Sequence, residues 1–576
     1  LAAALLLAMT AMAQEIETID DAGREAELRA ANAEAAHERP ATAPSFQAPP
    51  LREPDMEWVE HVLASLTLEE KIGQMMMPVW NERAGTDQVV DYKVGGFCFS
   101  ANRSEYIAGV SNSLQLLSEL PLLFSADCEA GSGARVRDGT AFPMNMALAA
   151  SGRLDLAREQ GIVTARECRA IGIHIAFGPV LDTNTEPINP IIGIRAYGDD
   201  PEMIARYARA YVEGAASAGL LTTFKHFPGH GATTGDSHHM LPVVDLDCEE
   251  LDRVHLAPYE RLFREIPGSL VMTAHVWYPC LDPGVRPWPA TLSQAALGDV
   301  LRQRMRFDGT LVSDSFAMRG VQDAASLGEG VVASVAAGLD IVLMPPRLPE
   351  AFEALRAAVV EGRLDAARID EATRRVLVLK SRVGLPDAAL VDPEARARTI
   401  AHPDHVAVAE EIGRQALAAA RVEESVLPIG REARVLCVAL EASGRIFYIH
   451  PATRFTEPLL EAFPNAVVRE VELDVDEEEA HALGIAARGF DRVVVTNRAW
   501  RPSTPPAQRV LIERLLESGT PVVYFSFGSP YHLLEMPALR NYYCSFSSHY
   551  ASQEEAVRVL TGESRATARW PVKISF

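Results

Sequence analysis

Short apolar runs recur along the first two-thirds of this chain, each about as long as a strand. They are VGGFCFS (94–100), LPLLFSAD (120–127), IHIAFGPVLDT (173–183), LLTTFKHF (220–227), SLVMTAHV (269–276), GTLVSDSF (309–316) and LDIVLMPP (339–346). Between most of them the apolar residues take helical spacing, as in PEMIARYARAYVEGAASAG (201–219). A short run that is apolar throughout fits a strand covered on both faces. Strand–helix alternation predicts a parallel sheet, because each strand needs a crossover before the next can run the same way. Seven such runs within residues 55–385 predict an α/β fold, a (β/α)8 TIM-like barrel with one strand hidden.

Order is expected to begin at EWVEHVLASLTLEEKIGQMMMP (57–78), whose apolar spacing is helical. Residues 14–54 are rich in Ala, Glu and Pro and poor in large apolar groups. Such a segment buries too little to offset its ordering entropy, which predicts a linker or disordered arm. Residues 1–13, LAAALLLAMTAMA, form an apolar run ending Ala11-Met12-Ala13, the pattern of a secretory signal and its cleavage site. The basic start of such a signal is missing, so a truncated signal is expected, with export to the periplasm or beyond. No later run reaches transmembrane length. After the last strand a helical stretch (350–383) leads to a Pro/Asp-rich interdomain linker at 386–402. Alternation then resumes with VAVAEEIGRQALAAARV (406–422) as a helix, ARVLCVAL (433–440), DRVVVTN (491–497), AQRVLIERLLESG (507–519) and PVVYFSFG (521–528). That predicts a second, smaller α/β domain over 403–576, a three-layer sandwich.

Composition narrows the function. The chain has 576 residues, 48% hydrophobic and 23% charged, which suits two soluble globular domains. A net charge of −24 without a dense basic cluster disfavours nucleic acid and anionic membranes as partners. A neutral sugar or peptide stays open. The seven cysteines are scattered, with no CxxC or zinc spacing, and most are expected to be buried thiols.

Chemistry concentrates in KHFPGHGATTGDSHHM (225–240), where an apolar strand opens into a Gly-rich loop. In Asp236-Ser237-His238 a carboxylate stands two residues from an imidazole, where it can accept the ring N–H, fix the tautomer and favour protonation. The pair reads as a general acid/base or as a surface Asx turn. Metal binding is the rival reading, but the histidine spacing fits no familiar zinc pattern and no metal is expected. Asp314 follows an apolar strand in LVSDSFAMRG, the place for a nucleophile and equally for a helix N-cap. Lys225 and His226 should point to opposite sides if the strand continues, so that one faces a ligand. Arg195 reads as a clamp on a polar ligand group or a helix-end ion pair. Trp277 and Tyr278 can stack on a sugar ring or fill core, and His239 and Cys128 read as structural. Asp127, Asp182, Asn184, His275 and Asp314 all fall at expected strand ends, which converge on one face of a barrel.

Together these stretches resemble family 3 glycoside hydrolases, in the β-N-acetylglucosaminidase (β-hexosaminidase) branch. The resemblance rests on LTLEEKIGQM (66–75), SADCEAGSGARV (125–136), FGPVLDTNTEPINPIIGIRAYGDDPE (177–202), KHFPGHGATTGDSH (225–238), MTAHV (272–276), PATLS (289–293), LVSDSFAMRG (311–320) and AGLDIVLMP (337–345), in family order. RWPVKI (569–574) resembles the closing strand of the family's second domain. The resemblance implies an exo-acting retaining enzyme without a cofactor, acting on small N-acetylglucosaminides. Asp314 would be the nucleophile, His238 the acid/base and Asp236 its partner. Asp127, Arg195, Lys225 and His226 would bind the terminal sugar. Two positions depart from the family: Ser315 stands where a second Asp is common, and Glu129-Ala130-Gly131 replaces Glu-Gly-Gly. A family glucosidase would instead take its acid from the second domain, where Glu554 and Glu555 are the candidates. Phosphorolysis stays open as a reaction, as does sugar binding without catalysis. Oligomeric state is not legible.

Overall fold

A computed structural model of the chain describes residues 45–266, 270–284, 286–441 and 453–574. The expected signal at 1–13, and the expected arm up to residue 44, lie outside the described residues.

The first half is a barrel of eight parallel strands: β1 (Met76–Met77), β2 (Gly96–Cys98), β3 (Leu123–Ala126), β4 (Ile175–Ala176), β5 (Leu221–Phe227), β6 (Leu270–Thr273), β7 (Leu311–Ser313) and β8 (Val342–Leu343). Strands β2 to β7 pair in chain order and β1 pairs with β8. Single parallel bridges, Val79 to Cys98 and Val312 to Ile341, join the two groups and close the ring. The strand hidden in the sequence is β1. It follows directly on the helix Leu68–Gln74 and has two residues, too few to show any alternation.

The strands are apolar on both faces. Leu123, Ile175, Leu221, Leu270, Met272 and Val312 pack in one cluster, while their neighbours Phe124, Ala176, Val271 and Leu311 pack in another with the surrounding helices. This two-sided burial is why the strands read as unbroken apolar runs. At the N-terminal end of β8, fully buried Asp340 receives Arg302 Nη2 at 2.8 Å and Arg375 Nη1 at 3.0 Å, with Arg368 also against it.

Residues 45–54 correct the reading of 14–54 as a linker or disordered arm. Leu51 N donates to Ala216 O at 3.0 Å and Arg52 N to Arg382 O at 3.1 Å. Both acceptors lie at helix C-termini, where carbonyls lack intrahelical partners. A segment with little apolar area of its own is thus held by backbone groups that composition does not reveal.

The second domain holds a six-stranded sheet in the order β11-β10-β12-β13-β14-β9. Its strands are β9 (Ala418–Arg421), β10 (Val435–Leu440), β11 (Val467–Val471), β12 (Arg492–Asn497), β13 (Val522–Ser526) and β14 (Tyr542–Cys544), all parallel except β9 against β14. Helices Glu477–Ala487 and Pro506–Glu517 pack on one face, and Thr453–Ala462 and Tyr550–Thr561 on the other, giving three layers. The expected helix at 406–422 is cut short. It spans Pro403–Gln415, and the alanines after it form the edge strand β9. Alanine favours a helix locally, but here the chain pairs with β14. The 386–402 linker contains the helix Pro393–Thr399, which packs on helices Ser104–Leu117 and Leu154–Ala170. RWPVKI is not a strand. It runs back to the barrel, where Arg569 N donates to Ala150 O at 2.9 Å and Lys573 N to Asp199 Oδ2 at 2.6 Å.

Five of the cysteines are buried, Cys248 is exposed and Cys280 is half-buried; all seven are free thiols. Among the described residues no helix is long and apolar enough to cross a membrane.

Asp340→Ala leaves Arg302 without its carboxylate and leaves Arg368 and Arg375 with Glu371 alone. Loss of one partner of a buried ion cluster costs about 3–5 kcal/mol. Urea melts should show a lower midpoint and an unfolding free energy reduced by about 3–5 kcal/mol, and an unchanged midpoint would refute a structural role for this cluster.

Candidate active site

Five loops at the C-terminal ends of the barrel strands bring the ionisable residues together. Asp127 follows β3, Asp182 lies beyond β4, Lys225 and His226 are in β5, His275 follows β6 and Asp314 follows β7. This convergence comes from parallel strand direction alone.

At the base of the site is a buried ion cluster. Glu129 takes Arg195 by two parallel bonds, Nη2 to Oε1 at 2.6 Å and Nε to Oε2 at 2.9 Å. Lys225 Nζ lies 2.6 Å from the same Glu129 Oε1 and 2.9 Å from Asp127 Oδ1. Asp127 Oδ2 also faces Arg135 Nη2 at 3.4 Å. Burial by itself raises the Glu129 pKa, but Arg195 and Lys225 outweigh it and hold the carboxyl well below its usual range. Burial likewise lowers Lys225, and the charges of Asp127 and Glu129 more than reverse this, leaving it raised. The cluster is therefore fully charged at neutral pH. Within it, the Asp127 side chain keeps 29% exposure and Arg135 26%, against 2% for Lys225 and 4% for Glu129. Asp127 and Arg135 thus offer the accessible polar atoms, and Lys225 and Glu129 brace them.

Lys225 and His226 do not take opposite sides. The register of β5 against β6 shifts between Phe224 and Phe227, and the Lys225–His226 peptide is cis. Such a shift re-aims side chains next to a site. Both side chains reach inward. His226 Nδ1 is 2.7 Å from Asp182 Oδ2, and its Nε2 is 3.4 Å from Arg195 Nη2. Asp182, wholly buried, also accepts the His226 and His230 backbone N–H groups.

The second part of the site is the loop after β5. His238 Nδ1 lies 2.8 Å from Asp236 Oδ1, which also accepts His238 N at 3.0 Å. The carboxylate thus occupies Nδ1 of a ring whose side chain is half exposed. Ser237 between them is buried and doubly anchored, its Oγ 2.9 Å from His230 Nε2 and its carbonyl accepting Gly320 N at 3.0 Å. Gly320 lies in the short helix Arg319–Gln322 that closes the loop opened by Asp314, so the two loops are tied together. Asp314 itself is set by Ser315 N donating to its Oδ1 at 2.7 Å, while His275 Nε2 holds Ser315 O at 3.0 Å. The loop glycines serve close packing: a Cβ on Gly231 would stand 1.9 Å from Thr183 O, and one on Gly229 2.9 Å from His255 Cβ.

Electrostatics separate the two functional groups. Burial would raise Asp314, but His226, His275, the Ser315 N–H and His238 hold it below the usual carboxylate value. His238 is raised, first by its hydrogen bond to Asp236, against burial, and then by the charge of Asp314. Asp236 is lowered to about 2; burial opposes this and the His238 bonds outweigh it. The surroundings therefore favour the ionised form of the Asp314 carboxyl and the protonated form of the His238 imidazole. Among the described residues no group of three or more His, Cys, Asp or Glu side chains is arranged to hold a metal ion.

The profile of the glycosyl hydrolase family 3 N-terminal domain matches residues 67–379, more than half the chain. The chain belongs to glycosyl hydrolase family 3. A β-N-acetylglucosaminidase/β-glucosidase of Cellulomonas fimi is 30% identical over 539 residues, covering 89% of this chain and 95% of that one. The solved structure of a family 3 β-N-acetylglucosaminidase from Paenibacillus sp. str. FPU-7 superposes with a TM-score of 0.81 at 31% identity, covering 88% of this chain and 99% of that one. A β-glucoside phosphorylase bound to 2FGlc also superposes with a TM-score of 0.81, at 26% identity, covering 90% of this chain and 96% of that one. This chain is accordingly a glycoside hydrolase with β-N-acetylglucosaminidase relatives.

Several residues of this family 3 site carry no signal of their role in the linear sequence. Glu129 and Arg135 stand inside SADCEAGSGARV, and their signal is the motif itself, since nothing in linear spacing links them to Arg195. Asp182, His230 and His275 act on other side chains, which only tertiary contacts reveal. Trp277 and Tyr278 belong to the fold, with Trp277 Nε1 donating to Asp282 O at 3.0 Å and Tyr278 OH to Gly229 O at 2.6 Å. His239 is not structural core; its side chain is 78% exposed. Glu555 is bonded to Arg558 and Ser564 within its own helix and turn, and Glu554 has Arg454, Glu410 and Arg414 as its charged neighbours. Neither has a described contact with the Asp314 loop. The second domain does touch the barrel face, where Asn184 Nδ2 donates to Tyr531 OH at 2.7 Å.

A methyl group at Gly320 would meet His275 O at 2.9 Å and Ser237 O at 3.0 Å, both backbone atoms. Gly320→Ala should therefore shift the His238 loop from Asp314 and lower kcat about tenfold to a hundredfold, since small misplacements are costly. Steady-state kinetics at wild-type rates would contradict this. For Asp236→Asn the sign follows from the raised His238 pKa. Losing the carboxylate lowers that pKa, so the alkaline limb of kcat/KM should move to lower pH. An unmoved limb would assign it to another group.

Proposed function

We propose that this family 3 enzyme is an exported, exo-acting, retaining β-N-acetylglucosaminidase that removes terminal N-acetylglucosamine from peptidoglycan fragments or chitooligosaccharides. The observation that carries this reading is the tie between Gly320 N and Ser237 O, which joins the Asp236–His238 loop to the loop of Asp314. In the first step an Asp314 carboxylate oxygen attacks the anomeric carbon, the glycosidic C–O bond breaks, and the His238 Nε2 proton passes to the leaving oxygen. In the second, His238 Nε2 takes a proton from water, the water oxygen attacks the anomeric carbon, and Asp314 leaves as a carboxylate. Two inversions give net retention. Asp127, with Arg135 beside it, hydrogen-bonds the sugar hydroxyls, while Arg195, Lys225 and His226 shape the pocket for the hydroxyls and acetamido group. The named activities of the Cellulomonas fimi and Paenibacillus relatives support the sugar specificity.

Phosphorolysis is the second reading, supported by one feature of the acid/base. Deprotonated imidazole is neutral, so it does not repel an anionic acceptor as a carboxylate would. A phosphorylase among the structural relatives is consistent with it.

Asp314→Asn should lower turnover of an aryl β-N-acetylglucosaminide by at least about a thousandfold. Near-wild-type turnover in that variant would exclude a glycosyl-Asp314 intermediate. His238→Ala should cost about a hundredfold or more on alkyl or sugar leaving groups and much less on nitrophenolate, which needs no proton. Equal losses on both would remove the acid role. An aryl β-glucoside turned over as fast as the N-acetylglucosaminide would overturn the specificity. Sugar 1-phosphate as the main product in phosphate buffer would select the second reading.

A further inference from the structure

Glu167, on the helix Leu154–Ala170, is a fully buried carboxylate with neither lysine nor arginine bound to it among the described residues. Its two oxygens accept an unusual number of donors. Thr140 supplies its N–H at 2.8 Å and its Oγ1 at 2.6 Å, Ser132 supplies its hydroxyl, Ala401 its N–H at 3.0 Å, and His405 Nδ1 lies at 2.9 Å. A buried carboxylate is costly unless its lone pairs are filled in this way.

What these donors have in common is position. Residues 130–142 double back on themselves, with Gly133 N donating to Thr140 O and Phe142 N to Ala130 O, each at 3.0 Å. The two arms lie so close that a Cβ on Gly133 would stand 2.5 Å from Ala141 N. Glu129 enters this hairpin and Arg135 sits toward its tip, the first in the buried ion cluster and the second against Asp127. Ser132 is on one arm and Thr140 on the other, so Glu167 grips both from behind. Its remaining donors come from the end of the linker and the first helix of the second domain.

We infer that Glu167 is a positioning residue for the sugar site: it fixes the hairpin that presents Glu129 and Arg135 and fastens that hairpin to Ala401 and His405 at the entry to the second domain. This rests on the reading of Asp127, Glu129, Lys225 and Arg195 as the sugar pocket. It adds a physical route by which the second domain acts on that pocket without supplying a catalytic group.

A double-mutant cycle tests it, using whichever aryl glycoside the wild-type enzyme turns over, so that a wrong sugar assignment does not confound the result. In Glu167→Gln the amide keeps one acceptor oxygen, and at least two donors lose their partner. Expected is a fall in kcat/KM of about tenfold to a hundredfold, while Glu167→Gln combined with Glu129→Gln is little worse than the poorer single variant. Losses that multiply across the pair would overturn the inference, as would wild-type kcat/KM in Glu167→Gln. Should that variant fail to fold, Thr140→Val removes one donor without stranding a charge, and the same cycle with Glu129→Gln decides between overlap and multiplication. Asp340→Asn, at the opposite end of the barrel, controls for general destabilisation: its effect should appear in melting and not in kcat/KM.

Discussion

The bond pair between Glu129 and Arg195, shared with Lys225, is the contact on which the site is built. It joins the loops after β3 and β4 to strand β5. Burying these charges is unfavourable for each alone and is tolerated because every one has an opposite partner within hydrogen-bond reach. The consequence is a polar floor that keeps its charge and shape whatever binds above it. Preorganised charge of this kind needs no rearrangement as a reaction proceeds, which is what an electrostatic site requires.

Above that floor the design divides labour between a fixed and a more exposed group. Asp314 is held from several sides, and His275 has the turn after it as its task. His238, by contrast, is half exposed although the residue before it is locked to His230 and Gly320. The ring can therefore meet a substrate and still return to one orientation, because its backbone and its Nδ1 are both set by Asp236. The adjoining carboxylate, with the charge of Asp314, favours the protonated imidazole.

The second domain meets the barrel through several contacts. Tyr531 meets Asn184, the segment at 569–573 meets the barrel at Ala150 and Asp199, and Ala401 and His405 meet Glu167. These contacts reach the barrel at the loop residues Asn184 and Asp199 and at the helices of Ala150 and Glu167. Glutamates 554 and 555, by contrast, are engaged with groups of their own domain and the helix packed on it.

Periodicity along the chain was enough to establish the barrel, the sandwich and most of their strands, because a strand covered on both faces must be apolar at every position. Motif spacing likewise picked out Asp236, His238 and Asp314, since two residues of separation bring a carboxylate to its own imidazole and a strand end places an aspartate at the barrel mouth. Three kinds of feature needed the folded chain. Strands β1 and β9 are too short or too alanine-rich to carry a local signal, and pairing with β8 and β14 decides them. The inward turn of both Lys225 and His226 depends on the register of β5 against β6, which no alternation rule contains. Glu129, Asp182 and Glu167 act through partners dozens to hundreds of residues away. A residue's own type and neighbours determine what it can do, and only the tertiary contacts determine what it does it to.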